Sequence, residues 1–231
     1  GSARLLWRTH LPALGQAWQI SHTVAQGQAI MNFNAELVAA MAMFAFVTSV
    51  TPGPNNMMLL ASGVNFGVKR SLPQWLGVSL GHFVMLLLVG AGLESLLKAY
   101  PFVYQVMKVV GFAYLVYLAW GVARSGAPER NGEEATKPIS FFGAAAFQWV
   151  NPKAWIMSIG YFSNYMPTDA SLTFVVLTCM MFSAINFPSV GLWVWLGAKL
   201  EHYLQQNTAR RVFNWTMALL LVISMIPVLW V

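Results

Sequence analysis

Two short interruptions in apolar sequence hold the residues best suited to bind a small polar solute. Thr51-Pro52-Gly53-Pro54-Asn55-Asn56 follows the nearly continuous apolar run 36–50 and leads straight into the apolar run 57–61. Gln148-Trp149-Val150-Asn151-Pro152-Lys153 interrupts a later run in the same manner. Each proline removes a backbone donor and crowds the carbonyl four residues back, so a helix must open or kink at both places. The opened ends expose amides and carbonyls, Gly53 permits close approach, and the side-chain amides of Asn55, Asn56, Gln148 and Asn151 both donate and accept. A zwitterion needs donors for its carboxylate and acceptors for its ammonium, and opened helix ends supply both. The competing reading is a structural kink whose polar groups satisfy one another.

Four further polar residues belong to the same inventory. Lys153 is a cation deep in an apolar run; it is suited to hold a carboxylate, to cycle between charged and neutral forms, or to cap carbonyls freed by Pro152. His82 is a proton-relay candidate or a satisfied packing residue. Asn186, in Asn186-Phe187-Pro188, marks a third polar break that lines the same cavity or bends its helix. Ser79 lies three residues before His82 within Gly77-Val78-Ser79-Leu80-Gly81, which mimics a nucleophile elbow. That motif requires a strand before it, whereas here it sits in an apolar helix, where G-x-x-x-G instead offers a face for close helix packing, within one bundle or between two copies in a homodimer. An intramembrane serine hydrolase using Ser79 and His82 stays as the alternative from another class, and a passive channel as a third. Trp149 and Trp155, flanking the second break, are candidates to line a pathway, and Trp75 and Tyr161 to anchor at headgroups.

The elements that must position these residues are membrane helices. The 231-residue chain is 58% hydrophobic and 9% charged, with mean hydropathy +0.59, outside the range of soluble domains. A single cysteine, Cys179, excludes an internal disulfide and a sulfur-ligated metal cluster, so neither metal nor cofactor is expected. The basic residues fall between apolar runs rather than in a stripe, which points to membrane topology and away from nucleic acid. Six segments long enough to span a bilayer are expected near 36–62, 72–93, 101–123, 139–162, 171–197 and 212–231. Lys69, Arg70, Arg124, Arg130, Lys137, Lys199, Arg210 and Arg211 occupy the odd-numbered gaps, against Lys98 alone in the even ones. The positive-inside rule makes the odd gaps cytoplasmic and places both ends of the bundle outside.

The expected organisation is an all-α polytopic membrane protein with four regions. Residues 1–31 read as a leader or added extension ahead of a natural start at Met31. Residues 32–123 form a first three-helix repeat, 124–138 a cytoplasmic linker rich in Gly, Pro and Glu, and 139–231 a second three-helix repeat. Three spans per half is odd, so the halves cross in opposite senses. The first and fourth helices are then broken at corresponding positions, which is the signature of an inverted-repeat transporter with a midplane site.

The same residues resemble a known family. Thr51-Pro52-Gly53-Pro54, the turn at 67–70 with Gly77 and Gly81, Gly111-Phe112-Ala113-Tyr114-Leu115 and Asn151-Pro152-Lys153-Ala154 occur in the order of signatures in the LysE/RhtB superfamily of small bacterial amino-acid exporters. The resemblance covers essentially all of 32–231. Asn55-Asn56 and Lys137-Pro138-Ile139-Ser140-Phe141 are most similar to the cysteine/O-acetylserine exporter branch, although that branch often departs from the Asn-Pro-Lys kept here. The resemblance implies an inner-membrane secondary exporter of small neutral amino acids or derivatives, exchanging them for protons. Basic, threonine/homoserine or leucine-type substrates are the alternatives. The residues themselves, apart from the resemblance, give Thr51 to Asn56, Gln148, Asn151, Pro152, Lys153 and Asn186 as the substrate-binding set, and if protons are coupled, His82, Lys153 or the substrate's own amine must titrate. The few carboxylates, Glu36, Glu94, Asp169 and Glu201, fall near span ends.

Overall fold

Apolar helices account for nearly all of the described chain, which in a computed structural model comprises residues 35–93, 99–125, 137–167 and 170–229. The expected leader, Lys98, Glu94, Asp169, Arg130 and the glutamates of the linker lie outside the described residues, as does the side chain of Lys108. Among the described residues seven α-helices follow in order: α1 Ala35–Val50, α2 Pro54–Gly90, α3 Pro101–Arg124, α4 Phe141–Gln148, α5 Pro152–Tyr165, α6 Leu172–Leu200 and α7 Asn207–Leu229, with a 3-10 turn Glu201–Leu204 before the last. No strand occurs among the described residues. Three helical stretches, Pro54–Gly90, Gln105–Arg124 and Leu172–Leu204, are long and apolar enough to cross a membrane, and Ala35–Val50 is a shorter apolar helix. The protein is an all-α membrane protein. Its residues form two compact units, one ending at Ala40, of which only the helical residues from Ala35 are described, and one running from Met41 to Val231. All that follows concerns the second.

Both expected interruptions occur. α1 stops at Val50 and α2 begins at Pro54, so Pro54 occupies the first turn, where its missing N–H costs nothing. α4 stops at Gln148 and α5 begins at Pro152 for the same reason, with Asn151 as the N-cap.

The turn expected at 67–70 is a kink at Gly67 between two helical stretches of α2, with Lys69 and Arg70 already in the stretch that follows. Gly67 has φ 71°, ψ 174°, a conformation that a residue without Cβ adopts freely, so one residue accomplishes the turn. Conversely, Asn186-Phe187-Pro188 does not interrupt its helix, since α6 runs on through Pro188. The Phe187 carbonyl accepts from Trp75 Nε1 at 2.9 Å and Ser189 Oγ donates to Ile185 O at 2.7 Å, so side chains serve the carbonyls around the proline.

Small residues bring the backbones together. A Cβ placed on Gly63 would overlap the Val194 carbonyl, and one on Gly197 the Leu60 carbonyl, so α2 and α6 touch main chain to main chain. Gly77 and Gly81 meet Phe141 and Ala145 in the same manner, so the G-x-x-x-G face is used inside the bundle, between α2 and α4. Asn65 and Asn214 exchange two amide hydrogen bonds of 2.8 and 3.0 Å, and Asn214 also donates to Ser125 O, which ties α2 and α7 to the end of α3. Leu59, Val78, Ala144, Val190 and Val194 fill a buried layer between α2, α4 and α6.

Candidate functional site: two broken helices around one cleft

Of the seven consecutive carbonyls from Val47 to Gly53 at the first interruption, the two at the ends keep a backbone partner four residues on, the five between are served by side chains, and every one is bonded. Thr51 serves two of them itself, its N–H donating to Val47 O at 3.1 Å and its hydroxyl to Val47 O and Thr48 O at 2.9 and 3.0 Å. Asn56 Nδ2 donates to Ser49 O at 2.9 Å and to Thr51 O at 2.8 Å. Trp193 Nε1 on α6 donates to Val50 O at 3.2 Å. The Gly53 carbonyl begins the ladder of α2 by accepting from Met57 N at 2.9 Å.

Lys153 completes the set from the other interruption. Its ammonium donates to Thr51 O, to Thr51 Oγ1 at 3.1 Å and to Pro52 O at 3.4 Å. It therefore caps carbonyls, but those of the opposite break rather than those beside Pro152. The stem passes so close to Gly53 that a Cβ there would lie 2.6 Å from Lys153 Cδ. Glycine at 53 is what lets the lysine reach across.

The second interruption is held locally. Trp149, Val150 and Asn151 each donate their N–H three residues back, to Ala146, Phe147 and Gln148 at 3.2, 3.1 and 3.3 Å, giving one tight turn before Pro152. Asn151 Oδ1 accepts from Lys153 N at 3.1 Å, an N-cap for α5. Trp155 Nε1 donates to Trp149 O at 2.8 Å. A reciprocal amide pair joins the breaks a second time: Asn55 Nδ2 donates to Gln148 Oε1 at 2.8 Å, and Gln148 Nε2 to Asn55 Oδ1 at 3.1 Å.

Between the breaks lies a cleft of about 330 Å³ including its open mouth. Gly53, Asn55, Asn56, Asn151, Lys153, His82 and Asn186 line it, along with Thr48, Ser49 and apolar Val78, Ala154, Met157 and Val190. Thr51 and Pro52 are exposed beside its mouth, whereas His82 and Asn186 are buried. Asn186 Nδ2 donates to Ser49 Oγ at 2.8 Å, but its Oδ1 has no hydrogen-bond partner, and neither has His82 Nδ1. Both atoms belong to buried residues that line the cleft.

Of the residues singled out in the sequence, Gly53, Asn55, Asn56, Asn151, Lys153, Asn186 and His82 come together at the cleft. Thr51 and Pro52 reach it through Lys153, Gln148 through Asn55, and Pro54 and Pro152 shape it by starting α2 and α5. Trp149 and Trp155 do not line it; Trp155 is buried against Met85, Val89 and Ala154. Trp75 and Tyr161 are not headgroup anchors either. Trp75 stacks on Phe187 at 4.5 Å, and fully buried Tyr161 donates to Thr178 O at 3.1 Å. Ser49 and Trp193 escaped the sequence reading, since nothing in a serine or tryptophan on an apolar helix announces a partner on another helix. His82 Nε2 lies 3.4 Å from Ser158 Oγ, while Ser79 Oγ has no partner, so the two show no nucleophile–base hydrogen bond.

Comparison with known proteins decides the class. Residues 46–226 match the family described as LysE type translocator. The chain belongs to the LysE-type translocator family. It is 32% identical over 187 residues to a cysteine/O-acetylserine efflux protein of Escherichia coli O1:K1, covering 80% of this chain and 94% of that protein. Proteins of the same name from Escherichia coli K12 and Shigella sonnei are 31% identical with the same coverage. No solved structure matches. A LysE-type translocator is a membrane transporter for amino acids rather than an enzyme, which removes the serine hydrolase reading of Ser79 and His82.

Proposed function

We propose that this LysE-type translocator exports small neutral amino acids of the cysteine/O-acetylserine kind across the bacterial inner membrane, using the cleft between its two broken helices. The observation that carries the reading is the reach of Lys153 across that cleft to the carbonyls of Thr51 and Pro52. In hydrocarbon, an ammonium and opened carbonyls each require a partner, and here they hold one another. A zwitterion carries the same two groups with reversed partners. Its carboxylate competes for Lys153 and the free N–H groups at the start of α2, while its ammonium takes the Thr51 and Pro52 carbonyls and the vacant Asn186 Oδ1. Substrate thus replaces a protein–protein link with two protein–substrate links, so the halves separate without stranding a charge. That exchange is the proposed switch between inward-open and outward-open states.

The cleft favours neutral over basic amino acids. None of its lining residues is acidic, so a cationic side chain would meet Lys153 without a counter-charge. The names of the relatives, which specify cysteine and O-acetylserine, support the same substrate class. The architecture that fits is six crossings in two inverted three-helix repeats, 32–123 and 139–231, joined by a cytoplasmic linker at 124–138, with both bundle ends periplasmic. α1 with the start of α2, and α4 with α5, would be the two broken crossings, and the bend at Gly67 a cytoplasmic turn. Protons are the proposed counter-ion, with His82 or Lys153 as carrier.

Counterflow in proteoliposomes tests the substrate and the coupling together. Vesicles preloaded with O-acetyl-L-serine are expected to accumulate labelled O-acetyl-L-serine and cysteine transiently, to ignore lysine, and to respond to an imposed pH step. Accumulation of lysine in preference to the neutral solutes would overturn the substrate class, and indifference to the pH step would overturn proton coupling.

A further inference from the structure

A second cavity, of about 990 Å³ including its open side, lies between α2 on both sides of its Gly67 bend, α3 and the start of α4. Its wall includes Met58, Ser62, Gln74, Tyr114, Gly121 and Ser140. Most polar groups there are already engaged. Ser62 and Ser71 hydroxyls lie 2.8 Å apart, Ser71 Oγ donates to Gly67 O at 2.8 Å, and Tyr114 donates to Gly143 O at 3.0 Å. Gln74 is the exception: it is 1% exposed, and neither its Nε2 nor its Oε1 has a hydrogen-bond partner. A buried amide with both ends vacant is costly unless something occupies the adjoining space for part of the cycle.

Helix geometry links this cavity to the cleft. Gln74, Val78 and His82 recur every four residues along one face of α2, with Gln74 at the second cavity and Val78 and His82 at the cleft. At 1.5 Å per residue the two ends of this stripe are about 12 Å apart. The opposing part of α2 repeats the arrangement, with Asn55 and Asn56 at the cleft and Met58 and Ser62 at the second cavity. Between them lies the apolar layer containing Leu59, Val78 and Ala144. One apolar layer therefore separates two cavities that each include buried polar side chains.

We propose that the second cavity is a loading site for the transported amino acid, on the side that carries Lys69, Arg70 and Lys137, with the Gln74 amide as its recognition group. This rests on the exporter reading. Gln74 Nε2 would donate to the solute carboxylate and Oε1 accept from its ammonium, before the solute passes the apolar layer to the Lys153 cleft. The flat amide gives no net charge to hold the solute, which suits a site that must release it onward.

Two variants test the loading site. Gln74→Leu removes both polar atoms at similar size, and Gly121→Leu fills the chamber at a position where a Cβ meets nothing within 4 Å. Both are expected to raise KM for O-acetyl-L-serine offered on the basic side by about five-fold or more, with maximal rate and KM from the opposite side little changed. Gln74→Asn should recover part of the loss. Independently, Gly121→Cys in a Cys179→Ser background, otherwise free of cysteine, should be labelled by a thiol reagent more slowly when O-acetyl-L-serine is present. Unchanged KM on both sides in active Gln74→Leu and Gly121→Leu proteins, or thiol labelling at position 121 indifferent to the solute, would overturn the loading site and leave the exporter reading standing. Absence of counterflow in the unmodified protein would overturn both.

Discussion

The two helix breaks look alike in sequence and are built on opposite principles. The first break is held partly from far along the chain: Thr51 and Asn56 serve some of its carbonyls locally, while Trp193 of α6 and Lys153 of α5 serve Val50 O, Thr51 O and Pro52 O. The break at 149–151 holds itself, through consecutive tight-turn hydrogen bonds, the Asn151 cap and the Trp155 indole. A segment that takes donors from helices far along the chain changes shape when those helices move; one whose donors come from its own turn and the helix after it travels as a body. The difference assigns the roles: the second break is the rigid arm that presents Lys153, and the first is the compliant surface it grips.

The contrast can be broken one bond at a time. Asn56→Leu should have the largest effect on stability, about 2–4 kcal/mol, because the Ser49 carbonyl loses its donor and the Thr51 carbonyl one of two in a low-dielectric setting. Thermal unfolding in detergent reads it, and a loss no greater than that of Asn151→Ala would reverse the assignment of the compliant break. Asn55→Leu should cost about 1–3 kcal/mol by stranding one end of the Gln148 amide, and adding Gln148→Leu should restore much of it, since removing both partners leaves less unpaired. A double-variant loss equal to the sum of the two single losses would show that the pair does not act as a unit. Trp193→Phe keeps an aromatic ring but loses the donor to Val50 O and part of the indole's bulk, an expected loss of about 1–3 kcal/mol in the same unfolding assay. Asn151→Ala removes one cap and should cost about 1 kcal/mol, with Asn151→Asp or Asn151→Ser recovering most of it.

Much of this site was legible because proline and asparagine act locally. Pro54 and Pro152 cannot continue the preceding helices, and Asn151 before Pro152 is a strong cap, so both breaks fall where the residue types demand. Lys153 drew attention as a buried cation, yet its reach to the opposite break depends on the bare Cα of Gly53 and on the approach of two helices about a hundred positions apart in sequence. Similar long-range placement hid Ser49 and Trp193. Pro188 misled in the other direction, because Ser189 and the Trp75 indole serve neighbouring carbonyls in a continuous α6. The turn expected at 67–70 is accomplished at Gly67 alone, since one residue at positive φ suffices. Local chemistry predicts where a helix stops; which side chain arrives to satisfy the opened backbone is decided by packing.

The central claim is that Lys153 links the two breaks and surrenders that link to the substrate. Counterflow of labelled O-acetyl-L-serine in proteoliposomes containing Lys153→Met tests it most directly, because Met retains much of the stem's bulk beside Gly53 while removing the ammonium. The account predicts a folded protein, recovered in the membrane at the same level, whose counterflow falls at least about a hundred-fold, the loss expected when a charge-assisted contact to a desolvated substrate disappears. Counterflow at the unmodified rate in that variant would contradict it.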